Sequence, residues 1–62
     1  MERPPKREVL IEFVVQGNVV KATAIDSTTG TEASIVGPAT APRATLAAAA
    51  ARKLEYVLKK KT

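Results

Sequence analysis

The sequence predicts an α+β fold: a three-stranded antiparallel β-meander followed by one C-terminal amphipathic α-helix. Three observations predict it. β-branched residues crowd the stretch from Glu8 to Val36, two turn signals divide that stretch into three runs, and an Ala-rich basic segment with helical spacing fills Ala41 to Lys61.

Taken in order, residues 1 to 7 set Pro4-Pro5 among Glu2, Arg3, Lys6 and Arg7, the composition of an extended, solvated arm. A single domain is therefore expected over residues 8 to 62. The first strand runs from Glu8 to Gln16, and Gly17-Asn18 supplies the two-residue spacing of a tight hairpin with Gly at positive φ. That turn fixes a register. With Gln16 facing Val19, Val15 meets Val20, Phe13 meets Ala22 and Ile11 meets Ala24, and strand alternation points all six to one face. The opposite face carries Glu12, Gln16, Lys21 and Thr23 but also Leu10, Val14, Val19 and Ile25, which is too apolar for open water.

A second turn is expected at Asp26-Ser27-Thr28-Thr29-Gly30, where Asp bonds its own backbone and Gly closes a longer hairpin loop. The third strand, about Thr31 to Val36, is expected to stop at Gly37-Pro38, because Pro cannot donate to a ladder. The connector to the helix is stiffened by Pro38 and Pro42. Thr40 reads as an N-cap, with Pro42 tolerated in the first turn. A helix to about Lys60 then gathers Leu46, Ala47, Ala50, Leu54, Val57 and Leu58 into one apolar stripe, with Arg52, Glu55 and Lys59 opposite. The small side chains of Ala47 to Ala51 let a neighbour approach the helix backbone closely.

Chain length bounds the rest. A protein of 62 residues hides only about 60% of the surface its unfolded chain exposes. Chains this short generally need a staple. Cysteine and histidine are both absent, so disulfides are excluded and a zinc site would have to be built from carboxylates alone. Association is the remaining staple, and one helix can cover the Ile11, Phe13 and Val15 side of the sheet but not the other. A homodimer with Leu10, Val14, Val19 and Ile25 in its interface is the expected answer. Strain in the short connector Gly37 to Pro42 makes exchange of helices between protomers a variant of that dimer. The polar N-terminus resembles no signal peptide, and no apolar run approaches the roughly 20 residues of a membrane span, so a cytoplasmic location and no membrane partner are expected.

No catalytic, cofactor or metal residues are expected. Ser27 and Ser34 have no histidine to activate them, and both suit turn and strand roles. Asp26 and Glu32 lack the alternating oxygen ligands and spacing of a calcium loop. The three glycines sit at strand boundaries, and none belongs to a phosphate-binding loop. The charge pattern is more suggestive. Net charge is +4, and the last 22 residues hold Arg43, Arg52, Lys53, Lys59, Lys60 and Lys61 against Glu55 alone. Such a cationic end suits nucleic acid or an acidic partner, but cations also favour the C-terminal turn of any helix. Tyr56 lies among them, where its ring either stacks on a base or covers the margin of a core with its hydroxyl wet.

Two resemblances follow from these elements. The β-β-β-α order with an Ala-rich last helix is similar to the second half of a double-stranded-RNA-binding domain, Thr40 to Leu58 standing for its last helix. That family begins with a further helix and grips phosphates with lysines at the start of the last one, where this chain has Arg43 beside Pro42. More of the chain, most of residues 8 to 60, resembles a family of short, functionally unassigned bacterial proteins. The likeness rests on Ala24-Ile25-Asp26, Thr29-Gly30, Ile35-Val36-Gly37-Pro38 and Lys53-Leu54-Glu55-Tyr56-Val57-Leu58. It implies a bacterial protein with this element order and carries no activity onto any residue. The expected function is a homodimeric assembly or adaptor module that binds another bacterial protein and has no catalysis of its own. The alternative is RNA or DNA binding through Arg52, Lys53, Lys59, Lys60 and Lys61.

Overall fold

The computed structural model describes residues 8–60, so the expected N-terminal arm and Lys61 lie outside the described residues. Three strands precede one helix: β1 (Val9–Gln16), β2 (Val19–Asp26), β3 (Glu32–Pro38) and α1 (Arg43–Lys60). The strands form one antiparallel sheet in the order β1-β2-β3. The expected α+β meander with a C-terminal helix is the observed fold.

The hairpin register is the one the turn dictates: Gln16 pairs with Val19, Val15 with Val20, Phe13 with Ala22 and Ile11 with Ala24. Gly17 takes φ of 59° and Asn18 does not enter positive φ, so the turn needs glycine at its first central position only. The second turn is organised by Asp26, which is fully buried. Its carboxylate accepts hydrogen bonds from Thr28 N–H at 3.1 Å and Thr29 Oγ1 at 3.0 Å, and its backbone carbonyl accepts Gly30 N–H at 2.7 Å. Asp26 N–H in turn donates to the Thr31 carbonyl at 2.8 Å, joining the loop to the start of the next ladder.

Two boundaries differ from expectation. β3 does not stop at Val36 but continues through Gly37 and Pro38, which pair with Val20 and Val19. Proline is tolerated because β3 is an edge strand and the parity of the ladder turns the Pro38 nitrogen away from β2, where no hydrogen bond is lost. The helix begins at Arg43, and Thr40 is not its cap. Ala41 N–H donates to the Pro38 carbonyl at 3.0 Å, so Thr40 is consumed in a turn. Pro42 holds the cap position instead, its carbonyl accepting Thr45 N–H at 3.0 Å and Leu46 N–H at 3.2 Å.

The core lies between one face of the sheet and α1. Val20, Ala22, Ala24 and Ala33 are buried under Leu46, Ala50 and Leu54, with Ile11, Ile35, Val57 and Leu58 packed around them. Small residues on the sheet admit the leucines of the helix, a large-against-small fit that brings α1 close. The approach is close at Gly37, where a Cβ would stand 2.5 Å from Leu46 Cδ2.

Candidate interaction site

The helix does not cover the whole of the face it packs on. α1 sits mainly over β2 and β3 and only reaches β1. A helix is about 10 Å across and strands lie about 4.8 Å apart, so one helix shields two strands and leaves the third. The consequence corrects the expectation that α1 covers Ile11, Phe13 and Val15. Only Ile11 is half-buried; Phe13 is 38% and Val15 56% exposed.

The opposite face of the sheet is also open. The register places Leu10, Val14, Val19 and Ile25 together on it, as expected; the first three are exposed and Ile25 is half-buried. Val36, which sequence reasoning missed, joins them beside Lys21 at 66% exposure. Between these apolar groups Thr23 Oγ1 and Ser34 Oγ share a hydrogen bond of 2.8 Å, as cross-strand neighbours on the face. Strand β1 is therefore apolar and exposed on both sides: Val9, Phe13 and Val15 toward the helix layer, Leu10 and Val14 away from it. Arg43 partly roofs Phe13, its guanidinium carbon 5.6 Å from the ring centroid. No sequence signal announced that contact, because it depends on where the helix axis crosses the sheet.

The cationic residues lie on α1. Arg52, Lys53, Lys59 and Lys60 are exposed, and with Tyr56 they span about 120° of the helix surface at 3.6 residues per turn. Tyr56 is 61% exposed, with Lys60 Nζ 5.5 Å from its ring centroid. Lys53 is turned toward the sheet, where its Nζ donates to the Ser34 carbonyl at 2.8 Å. Sequence reasoning grouped Lys53 with the other cations and missed this contact, which its position about 100° round the helix from Arg52 makes possible. Among the described residues there is no group of three or more His, Cys, Asp or Glu that could hold a metal ion, and no helix is long and apolar enough to cross a membrane.

Residues 6–61 match the model of a family described as a domain of unknown function, DUF6898. The chain belongs to that family. No curated protein and no solved structure matches the chain. Membership agrees with the resemblance to functionally unassigned proteins and adds no ligand or reaction, so the site must be argued from β1 and α1 themselves.

Proposed function

We infer that this protein is a homodimeric assembly module, without catalytic activity of its own, that presents a surface to another protein. One observation carries the reading: β1 exposes Val9, Leu10, Phe13, Val14 and Val15, apolar side chains on both of its faces, with one helix among the described residues to shield them. Contiguous apolar patches of this kind generally mark interaction sites. The helix of the protomer already seats Leu46, Ala50 and Leu54 on its own sheet, so the reading requires burial at β1 and does not require exchange of helices. Light scattering or sedimentation near 10 μM is expected to give twice the chain mass of 6.6 kDa. The monomer mass at that concentration overturns the reading.

A second reading is favoured by the exposed ring of Tyr56 among Arg52, Lys59 and Lys60, an arrangement that can stack a base and pair with phosphate. Lys53 weakens it, because its ammonium is directed at the Ser34 carbonyl. Titration with RNA and DNA at several salt concentrations separates the two readings.

A further inference from the structure

The two edges of the sheet are unlike. Along β3, the Ser34 carbonyl accepts from Lys53 Nζ, and Pro38 has no N–H to offer. That edge is blunted in two of the ways natural sheets use. Along β1 there is no such protection among the described residues. Ser27 N–H donates to the Glu8 carbonyl at 3.0 Å, which sets the parity of the ladder: even-numbered residues of β1 exchange bonds with β2. The backbone donors and acceptors of Val9, Ile11, Phe13 and Val15 therefore point outward. The strand is eight residues long, with no proline, glycine or charge on its helix-side face.

Resting on the reading of this chain as a homodimer, we propose that β1 pairs antiparallel with β1 of a second copy, about a two-fold axis at Phe13, making one continuous six-stranded sheet. The occupant of this edge must be apolar on the helix side, where Phe13 and Val15 are exposed, and can be mixed on the other, where Leu10 and Val14 alternate with Glu12 and Gln16. β1 itself is such a strand. Residues 1 to 7, with Pro4, Pro5 and four charged side chains, are not.

Charge selects the register. Outward-pointing residues must meet outward-pointing residues, so the two longest pairings centre on Glu12 or on Phe13. Centring on Glu12 sets the two Glu12 carboxylates directly opposite, in a pair with Cα atoms about 4.5 Å apart, where like charges repel. Centring on Phe13 instead places Glu12 opposite the second copy's Val14. Within a protomer Val14 pairs with Lys21, so the second copy's Lys21 lies on the same face, two strand spacings or about 9.6 Å from Glu12. Both side chains are long enough to meet, and the axis makes two such pairs. On the helix side the same register stacks Phe13 beside its counterpart, each under its own Arg43.

The chain contains no cysteine, so engineered thiols report without interference. In this register Leu10 lies opposite the second copy's Gln16 in a non-hydrogen-bonded pair with Cα atoms about 4.5 Å apart, within the range a disulfide spans, roughly 4.4–6.8 Å. Mild oxidation is expected to link an equimolar mixture of Leu10→Cys and Gln16→Cys chains, and to leave unlinked a mixture of Leu10→Cys and Val14→Cys chains, which only the register centred on Glu12 brings together; all these chains keep Glu12. Rapid linking of the second mixture with none in the first overturns the register. Val15→Pro removes only an outward N–H, so far-UV circular dichroism should be unchanged while dimer affinity falls at least tenfold. A dimeric wild type whose cysteine variants link in neither mixture, or a folded Val15→Pro variant that dimerises with undiminished affinity, overturns strand pairing and leaves the homodimer standing on its other face. A wild-type monomer overturns both.

Discussion

Asp26 is the residue whose role is most completely accounted for by its surroundings. Its carboxylate is fully enclosed, yet it accepts from Thr28 N–H and Thr29 Oγ1, and the chain turns around it. Asp26→Ala strands those donors and opens the loop, so a loss of about 1–3 kcal/mol is expected in urea titrations. A loss below about 0.5 kcal/mol removes the carboxylate from any organising role. The turn function was legible because Asp followed by Ser, Thr and Gly has a local mechanism for reversing the chain. The burial of Asp26 follows from position: it ends the central strand on the same parity as Val20, Ala22 and Ala24, the side that faces the helix. Val36 shows a limit: the longer loop before β3 fixes no register, so its place beside Lys21 on the open face was not read from the sequence.

At the scale of elements, the hairpin was readable pair by pair because a two-residue turn leaves one register consistent with the apolar alternation. The ends of β3 and α1 were not readable. Proline rules describe what a ladder loses, and at Pro38 the ladder loses nothing because the nitrogen faces outward. Thr40 satisfied the composition of a cap but lay inside a turn closed by Ala41 and Pro38. Among the contacts that seat the helix is Leu46 over Gly37, where an added Cβ would meet Leu46 Cδ2. Gly37→Ala is expected to cost about 1–3 kcal/mol, as overpacking does. Combining it with Leu46→Ala should recover at least about 0.5 kcal/mol of the summed losses, as touching sites do. Simple additivity in a double-mutant cycle measured by thermal or urea unfolding argues that helix and strand do not interlock there.

For the molecule as a whole, the surplus of apolar surface was legible and its location was half right. Leu10, Val14 and Val19 are exposed where expected, while Phe13 and Val15 are exposed where cover was expected, because alternation reports which face a residue occupies but not how far across the sheet a helix extends. The cations were legible as a group, and Lys53 shows why a group is not a site. If α1 binds nucleic acid, affinity falls with salt at a log–log slope of about −0.9 for each duplex phosphate contacted. Replacing Arg52, Lys59 and Lys60 by Gln should then flatten that slope by about 3. An unchanged slope removes α1 from the contact. The bond from Lys53 to Ser34 has one more consequence, for stoichiometry. A sheet that can be extended only from β1 terminates after a single addition, because each newcomer arrives with its far margin already stoppered by its own ammonium. Stripping that ammonium would leave Pro38 as the remaining guard of that margin and bring a self-limiting pair one step nearer to growth from both ends.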